Sequence, residues 1–394
     1  MRVGLCYESV IPARGGCEHY ITDLSRRLAR DGHEVHLFAC RWDASALPAD
    51  TVYHQLPAPG GARFLRPWRF GRACLGALAE NPVDVSVGFD KTWGQDVLYP
   101  QGGLHSASRD HNLNKSPSKL MRLFTRGVRA FDLTTYSFAK LERMLYLDDV
   151  DQPVILVNSK MVQRHFQQYL GLGPDRVRVL YSAIDPDRFK ADDRDARRAK
   201  ERAAWNVRGH VPVGLFVAMN YRLKGLSPLL HSLKHIPSDV PFKLVVVGNA
   251  KYQKYERLAE SLGVRGRVIF LGFRADPKEA YFAADFLIHP TFYDPGSLVA
   301  LEALACGLPV VTTRFNGNSE LLTLGETGLV IDDPHDHESL GKAIAEMADA
   351  AKLPARKVAA LAAGRRWTFD DHYRALLGVL EEVAAKNRRA DGVP

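Results

Sequence analysis

Short apolar runs alternate with amphipathic stretches along the chain. Arg2 to Cys6 reads as a buried strand, Gly15-Gly16 end a loop, and Cys17 to Arg30 carries Ile21, Leu24 and Leu28 at helical spacing, with Gly32 as a C-terminal cap. Glu34 to Ala39 reads as the next strand, Val83 to Gly88 as another followed by a glycine-rich loop, and Val154 to Val157 and Val177 to Tyr181 as later ones. Residues 191–209 are almost all charged or alanine, which predicts an exposed helix at a domain boundary. The alternation then restarts, with strands predicted at Val213–Ala218, Lys243–Val247, Arg267–Leu271, Phe286–His289, Pro309–Thr312 and Gly328–Ile331. Strands alternating with helices imply parallel sheets covered on both faces. Two such series predict an α/β protein of two Rossmann-like, doubly wound domains facing a cleft, with ligands beyond the carboxyl ends of the strands. The expected domains are 1–184 and 185–366. A helix in 367–394, striped by Tyr373, Leu376, Leu377, Leu380 and Val383, is expected to cross back to the first domain.

Length supports this division, because 394 residues exceed what a single core usually organises. With 46% hydrophobic and 25% charged residues, disorder is not the default. The five cysteines are scattered without a CxxC pair, so neither a disulfide framework nor a zinc site is expected, and they read as reduced thiols of a cytoplasmic protein. Glu8 interrupts the apolar start too early for a signal peptide, and the longest apolar stretch, Leu298 to Thr312, contains Glu302, so any membrane contact is expected to be peripheral. The net charge of +8 suits anionic partners without choosing among nucleic acid, lipid and phosphorylated small molecules.

The most informative stretch is FYDPGSLVALEALACGLPVVTT, residues 292–313. A strand leads into a turn with Asp294, Pro295 and Gly296, and a helix starts near Ser297. Unpaired N–H groups at a helix start attract a diphosphate. Asp294 offers acceptors to sugar hydroxyls, and Glu302 offers both carboxylate oxygens to a ribose diol. An ordinary buried helix with a capping aspartate has the same spacing. Lys224, read alone, is equally a solvated lysine, and Gly15-Gly16 alone is a turn.

This stretch resembles the E-x7-E signature of the family 4 glycosyltransferases, kept here as Asp294-x7-Glu302, with Ser297 where glycine is commoner. The nearest likeness is to lipopolysaccharide core glucosyltransferases that extend the inner-core heptose. RVRVLYSAIDPDRF (176–189), NYRLKGLSPLL (220–230), IFLGFRAD (269–276) and VGFDKTWGQDVLYPQGGLHSASRD (87–110) carry the resemblance over nearly the whole chain. It implies a GT-B fold and a retaining, metal-independent hexosyltransferase that uses a nucleotide-sugar, UDP-glucose or another UDP-sugar favoured, and no cofactor. It further implies that Arg222 and Lys224 hold the leaving diphosphate, that backbone around Gly272, with Phe273 and Arg274, cradles the base, and that Gly296, Ser297, Leu298, Val299 and Glu302 bind the nucleotide. Gly15 and Gly16 match the family's GG-x-E loop, and His105 matches a histidine beside the donor sugar. The family's Gly-Arg pair before Lys224 is absent, with Met219-Asn220 near that place.

Asp185-Pro-Asp187 and Asp193-Arg-Asp195 spell DxD but follow no strand at a cleft, so no metal is expected. Lys115, Lys119, Arg122, Arg126 and Arg129 recur at helical spacing opposite Leu120, Phe124, Val128 and Phe131, and Arg63, Arg66, Arg69 and Arg72 interleave with aromatics. These read either as a solvated face over a packed core or as a surface for anionic lipid headgroups or a phosphorylated acceptor. No nucleic-acid module accompanies them. A lipopolysaccharide core or other glycolipid acceptor is expected, at the inner face of the cytoplasmic membrane. Two alternatives remain, a nucleotide-sugar 2-epimerase of the same fold and a non-catalytic carbohydrate- or lipid-binding relic.

Overall fold

The apolar runs form two parallel sheets, together with two short strands that no run announces. The computed structural model describes residues 1–12, 15–116, 118–130, 132–147, 152–208 and 210–390. In chain order the strands of the first half are β1 (Arg2–Cys6), β2 (Ser9–Val10), β3 (Glu34–Ala39), β4 (Arg41–Trp42), β5 (Val52–Gln55), β6 (Val85–Phe89), β7 (Val97–Tyr99), β8 (Val154–Val157) and β9 (Val177–Val179). Those of the second half are β10 (Val213–Ala218), β11 (Lys243–Gly248), β12 (Val268–Gly272), β13 (Phe286–His289), β14 (Val310–Thr313) and β15 (Gly328–Ile331). The two unannounced members of the large sheets are β5, which is half-exposed at a sheet edge, and β7, which has three residues.

The chain divides into two compact units. One comprises Met1–Asp110, Lys119–Tyr181 and the chain from Asp370 onward, and the other His111–Ser118 and Ser182–Phe369. The first unit holds a parallel sheet of order β5-β3-β1-β6-β7-β8-β9. Its chain runs outward from β1 through β3 and β5, then restarts on the other side with β6. The second unit holds the order β12-β11-β10-β13-β14-β15 and reverses in the same way between β10 and β13. Ligands in such sheets bind outside the carboxyl ends of the strands at the reversal.

Burial on both faces explains why the strands read as unbroken apolar runs. Along β10, Phe216 and Ala218 enter one core with Leu229, Leu244 and Tyr255, whereas Val213 and Leu215 enter another with Tyr281, Ala303 and Leu304. The last helix, Phe369–Ala390, buries Tyr373, Leu376, Leu380 and Val383. It is fastened within the first unit by Tyr20 Oη with His372 Nε2 at 2.7 Å, Arg27 with Asp370 at 2.8 Å and Arg178 with Glu382 at 2.7 Å.

Two expectations are corrected. The charged stretch forms a helix, Arg194–Ala204, but it is not simply exposed. Arg198 and Arg202 reach buried Asp285 at 2.6 and 3.1 Å, Lys357 approaches it at 3.3 Å, and the Val213 N–H donates to it at 2.9 Å. Burial alone would raise the Asp285 pKa, but Lys357, Arg198 and the Val213 N–H outweigh it and hold the group ionised. The basic helix spans Lys119–Ala130, leaving Lys115 in the preceding turn. Among the described residues no packed core lies over its apolar face: Leu120 is 78% exposed and Phe124 68%, with Leu123 and Val128 also exposed, while Phe131 lies outside the described residues.

Asp285→Ala leaves buried guanidinium groups uncompensated, so it should lower the unfolding free energy by about 3–5 kcal/mol. Urea unfolding measures this, and a loss within about 0.5 kcal/mol, the range of an ordinary surface change, would show the cluster to be dispensable.

Candidate functional site

The reversal between β10 and β13 gathers the loops that follow them. After β10, the Asn220 side chain accepts from the Leu223 N–H at 3.1 Å and its carbonyl from the Lys224 N–H at 3.0 Å, tightening a turn. Gly225 has φ +82, and a Cβ there would stand 2.0 Å from the Pro290 carbonyl oxygen. Only glycine permits this approach of the two loops. The Phe292 N–H then donates to the Leu223 carbonyl at 3.0 Å. Lys224 is thereby brought over the end of β13.

Its ammonium lies 2.5 Å from Asp294 Oδ2, and the same oxygen receives His289 Nε2 at 2.9 Å. A carboxylate only accepts, so Nε2 carries the proton. Burial pushes the His289 pKa down, against the pull of Asp294, so the ring is neutral at neutral pH. Burial pushes the Asp294 pKa up, but Lys224 and His289 outweigh it and hold the carboxyl well below its ordinary range. Asp294 and Lys224, expected to serve sugar and phosphate separately, form one ion pair. Both contacts use Oδ2, and no hydrogen bond or ion pair engages Oδ1 among the described residues.

Backbone fixes this loop further. The Asp294 N–H donates to the Phe315 carbonyl and the Gly317 N–H to the Asp294 carbonyl, at 2.9 and 2.8 Å, tying the loop after β13 to the one after β14. Ser297 precedes the helix Leu298–Ala305 without capping it, and its buried Oγ has no hydrogen-bond partner among the described residues. Asn318 Nδ2 donates to the Ser297 carbonyl at 2.9 Å. No side chain caps this end, where the Ala300 N–H donates to the Ser297 carbonyl at 3.2 Å, and a helix start of this kind attracts an anion. Within the helix, Glu302 Oε2 accepts from the buried Tyr281 hydroxyl at 2.7 Å, so one acceptor position of a carboxylate expected to meet a diol with both oxygens is already filled. Burial raises the Glu302 pKa.

The structure therefore brings together Lys224, Asp294, Gly296, Ser297, Leu298, Val299 and Glu302. Arg222 is exposed, and no hydrogen bond or ion pair joins it to this group among the described residues. Gly272, at φ +67, ends the edge strand β12, and Phe273 and Arg274 follow it exposed. In the first unit, Gly15 is extended and Gly16 opens the helix Gly16–Arg30. His105 opens the helix His105–Leu113, whose first N–H groups, from His105 and Ser106, are taken by buried Glu142. Burial, then Lys91, push the His105 pKa down to about 4. In the DxD triplets, Asp185 accepts from the Asp187 N–H, Asp187 pairs with Lys190, and Asp193 pairs with Arg197. Sequence reasoning missed His289, Tyr281 and Asn318; the only signal for the first is a polar residue closing a buried apolar strand.

Residues 14–188 match Glycosyltransferase Family 4, and residues 197–360 match Glycosyl transferases group 1. The chain is 28% identical over 348 residues to the lipopolysaccharide glucosyltransferase WaaG of Escherichia coli K12, covering 87% of this chain and 88% of that one. It superimposes on a crystal structure of WaaG with a TM-score of 0.72 at 25% identity, covering 97% and 98% of the two chains. Anabaena Alr3699/HepE, solved in complex with UDP-glucose, shares the fold with a TM-score of 0.70 at 19% identity, over 97% and 100% of the chains.

The His289 ring should titrate below its ordinary pKa of about 6.5, and Asp294→Asn should lower it further by removing the charge that favours the imidazolium. Histidine NMR resonances followed against pH measure this. A midpoint above 6.5 in the wild type, or a rise in the variant, would contradict the assigned proton.

Proposed function

The chain belongs to the group 1, family 4 glycosyltransferases, and on that premise we propose that it moves a sugar from a nucleoside diphosphate donor to a glycan or lipid-linked acceptor. UDP-sugars are the favoured donors, the anomeric configuration is retained, no metal takes part, and lipopolysaccharide core is the favoured acceptor. The WaaG likeness supports the glucosyl and lipopolysaccharide parts of this reading. The observation that carries it is the Lys224–Asp294 pair at the β10/β13 reversal, beside an uncapped helix start.

In this reading the helix N–H groups and Ser297 Oγ receive the diphosphate, and Lys224 neutralises the charge that grows on it as the anomeric C–O bond breaks. Arg222 assists from the same loop. Glu302 accepts from the ribose, and backbone at Gly272, with Phe273 and Arg274, supports the base. Asp294 holds Lys224 through Oδ2 and offers Oδ1 to a sugar hydroxyl. Its commitment to two donors argues against a nucleophilic carboxylate. The acceptor hydroxyl instead attacks on the leaving-group side, and its proton passes to the departing phosphate oxygen. The protein supplies position and charge more than acid–base chemistry. From the first unit, Gly15, Gly16 and the neutral His105 ring are assigned to the same reaction.

Release of free nucleoside diphosphate from a panel of nucleotide-sugars tests this. Lys224→Ala should lower the rate by about a hundredfold or more. Glu302→Gln should weaken UDP binding by about tenfold, since a neutral amide accepts weaker hydrogen bonds. Activity should persist in excess EDTA; its loss and rescue by a divalent metal would overturn the metal-free reading. A 2-epimer accumulating without acceptor would point to an epimerase instead.

We further propose that the first unit docks on the inner face of the cytoplasmic membrane through the helix Lys119–Ala130. No helix among the described residues is long and apolar enough to cross a membrane. Exposed Leu120, Leu123, Phe124 and Val128 share this helix with Arg122 and Arg126, an arrangement suited to the headgroup boundary of anionic lipid. Each cation contributes about 1 kcal/mol near such a surface. Arg63, Arg66 and Arg72 lie in the same unit, with Arg69 bonded to the Gly60 carbonyl, whereas Lys115 belongs to the other unit and the Arg129 side chain lies outside the described ones. Co-sedimentation with anionic vesicles should fall with salt and in both Lys119/Arg122/Arg126→Glu and Leu120/Phe124→Ser variants. Equal pelleting with neutral lipid would leave the helix as solvated surface.

A further inference from the structure

The strand β13 is buried along its whole length and ends on His289, a polar side chain without exposed surface. Its backbone is fixed from β14 and from the loop beyond. The His289 carbonyl accepts from Thr312 Oγ1 and from the Thr291 N–H, both at 2.8 Å, and Thr312 Oγ1 in turn accepts from Asn316 Nδ2 at 3.1 Å. Thr313 Oγ1 donates to the Thr291 carbonyl at 2.6 Å. The imidazole therefore stands on backbone that cannot shift without breaking several buried hydrogen bonds.

Among the described residues the ring makes one hydrogen bond, from Nε2 to Asp294 Oδ2 at 2.9 Å, and its buried Nδ1 has no partner. A buried acceptor left unmet is unfavourable, and native proteins carry few of them. An apolar residue like Phe286, Leu287 or Ile288, which make up the rest of the strand, would fill the space without that cost. What histidine adds at this place is the bond to Asp294.

Asp294 Oδ2 also meets the Lys224 ammonium, so the two donors on this oxygen differ in kind. Lysine carries a compact charge on a flexible stem and supplies attraction with little direction. Imidazole is rigid, and its N–H points one way. The terminal torsion of an aspartate is broad, so charge alone leaves the carboxylate plane free to turn. We propose that His289 is a positioning residue: it fixes this plane, aims Oδ1 at one hydroxyl of the donor sugar, and so sets which sugar the chain accepts. The assignment rests on the transferase reading and divides the labour within it, Lys224 holding the charge and His289 the orientation. A site built to bond one hydroxyl discriminates against sugars that place it elsewhere, because its own polar group is then left unpaired.

Calorimetry on the whole chain with UDP, UDP-glucose, its C4 epimer UDP-galactose and UDP-N-acetylglucosamine tests this, with the melting temperature measured on the same samples. Three substitutions separate orientation from packing. The amide nitrogen of His289→Gln reaches the place of Nε2, that of His289→Asn stops short of it, and His289→Leu keeps the volume without a donor. The wild type should bind one UDP-sugar at least about tenfold more tightly than the others. His289→Asn and His289→Leu should compress that preference to about threefold or less while UDP affinity holds, because Lys224 still pairs with Asp294. His289→Gln should keep most of the preference. An equal loss for all three UDP-sugars, a preference unchanged in His289→Asn and His289→Leu, or a Gln variant as indiscriminate as these would overturn this inference. So would a wild type that binds UDP but prefers no sugar, and each of these results leaves the transferase reading standing. A wild type that binds neither UDP nor any UDP-sugar would overturn the transferase reading, and this assignment with it.

Discussion

The pairing of β10 with β13 is the constraint on which the second unit depends. Only two residue pairs, Gly214 with Phe286 and Leu215 with Leu287, set the register between these strands. At their amino ends, Asp285 binds the Val213 N–H and gathers Arg198, Arg202 and Lys357. At their carboxyl ends, the chains part into loops that meet again through Lys224 and Asp294. A shift of one residue would turn every side chain of a strand to the opposite face and separate both charge clusters. Charges this deeply buried are unfavourable unless fully partnered, so both clusters oppose alternative registers more than they add net stability.

The first unit repeats the construction with a different set of side chains. In each sheet the order of the strands reverses between two neighbours, and the loops that follow those strands part there. In the second unit that place holds a lysine and an uncapped helix start, which favour an anion. In the first it borders a pocket lined by Glu8, Glu18, Asp90 and Lys91 beside Phe70 and Phe89. In the first unit the helix Gly16–Arg30 also starts without a side-chain cap, whereas the helix start at His105, after β7, is closed by Glu142. Similar backbones thus present different chemistry because of a few residues after each strand.

Much of this was legible in the sequence. Parallel strands buried on both faces leave unbroken apolar runs, so most strands stand out, whereas the half-exposed edge strand Val52–Gln55 does not. The spacing of Asp294 and Glu302 survives because the turn and helix between them are local. What stayed hidden depends on contacts distant in sequence. Nothing near Asp294 announces its bond to Lys224, and Tyr281 reads as core although its hydroxyl serves Glu302. His289 reads as the end of a strand. Periodicity shows that Leu120, Phe124 and Val128 share a face but not whether anything covers it. Likewise, arginines in a charged stretch look solvated until a buried partner such as Asp285 is known.

In the proposed function, Lys224 and Asp294 act as one diphosphate-binding unit. The most direct measurement is a double-mutant cycle on UDP affinity, by calorimetry, with Lys224→Met, Asp294→Asn and the combined variant. A coupled unit predicts that each single change weakens binding and that the combined variant is scarcely weaker than Lys224→Met alone, a coupling of about 1 kcal/mol or more. Losses that simply add, or UDP binding indifferent to Lys224, would contradict it.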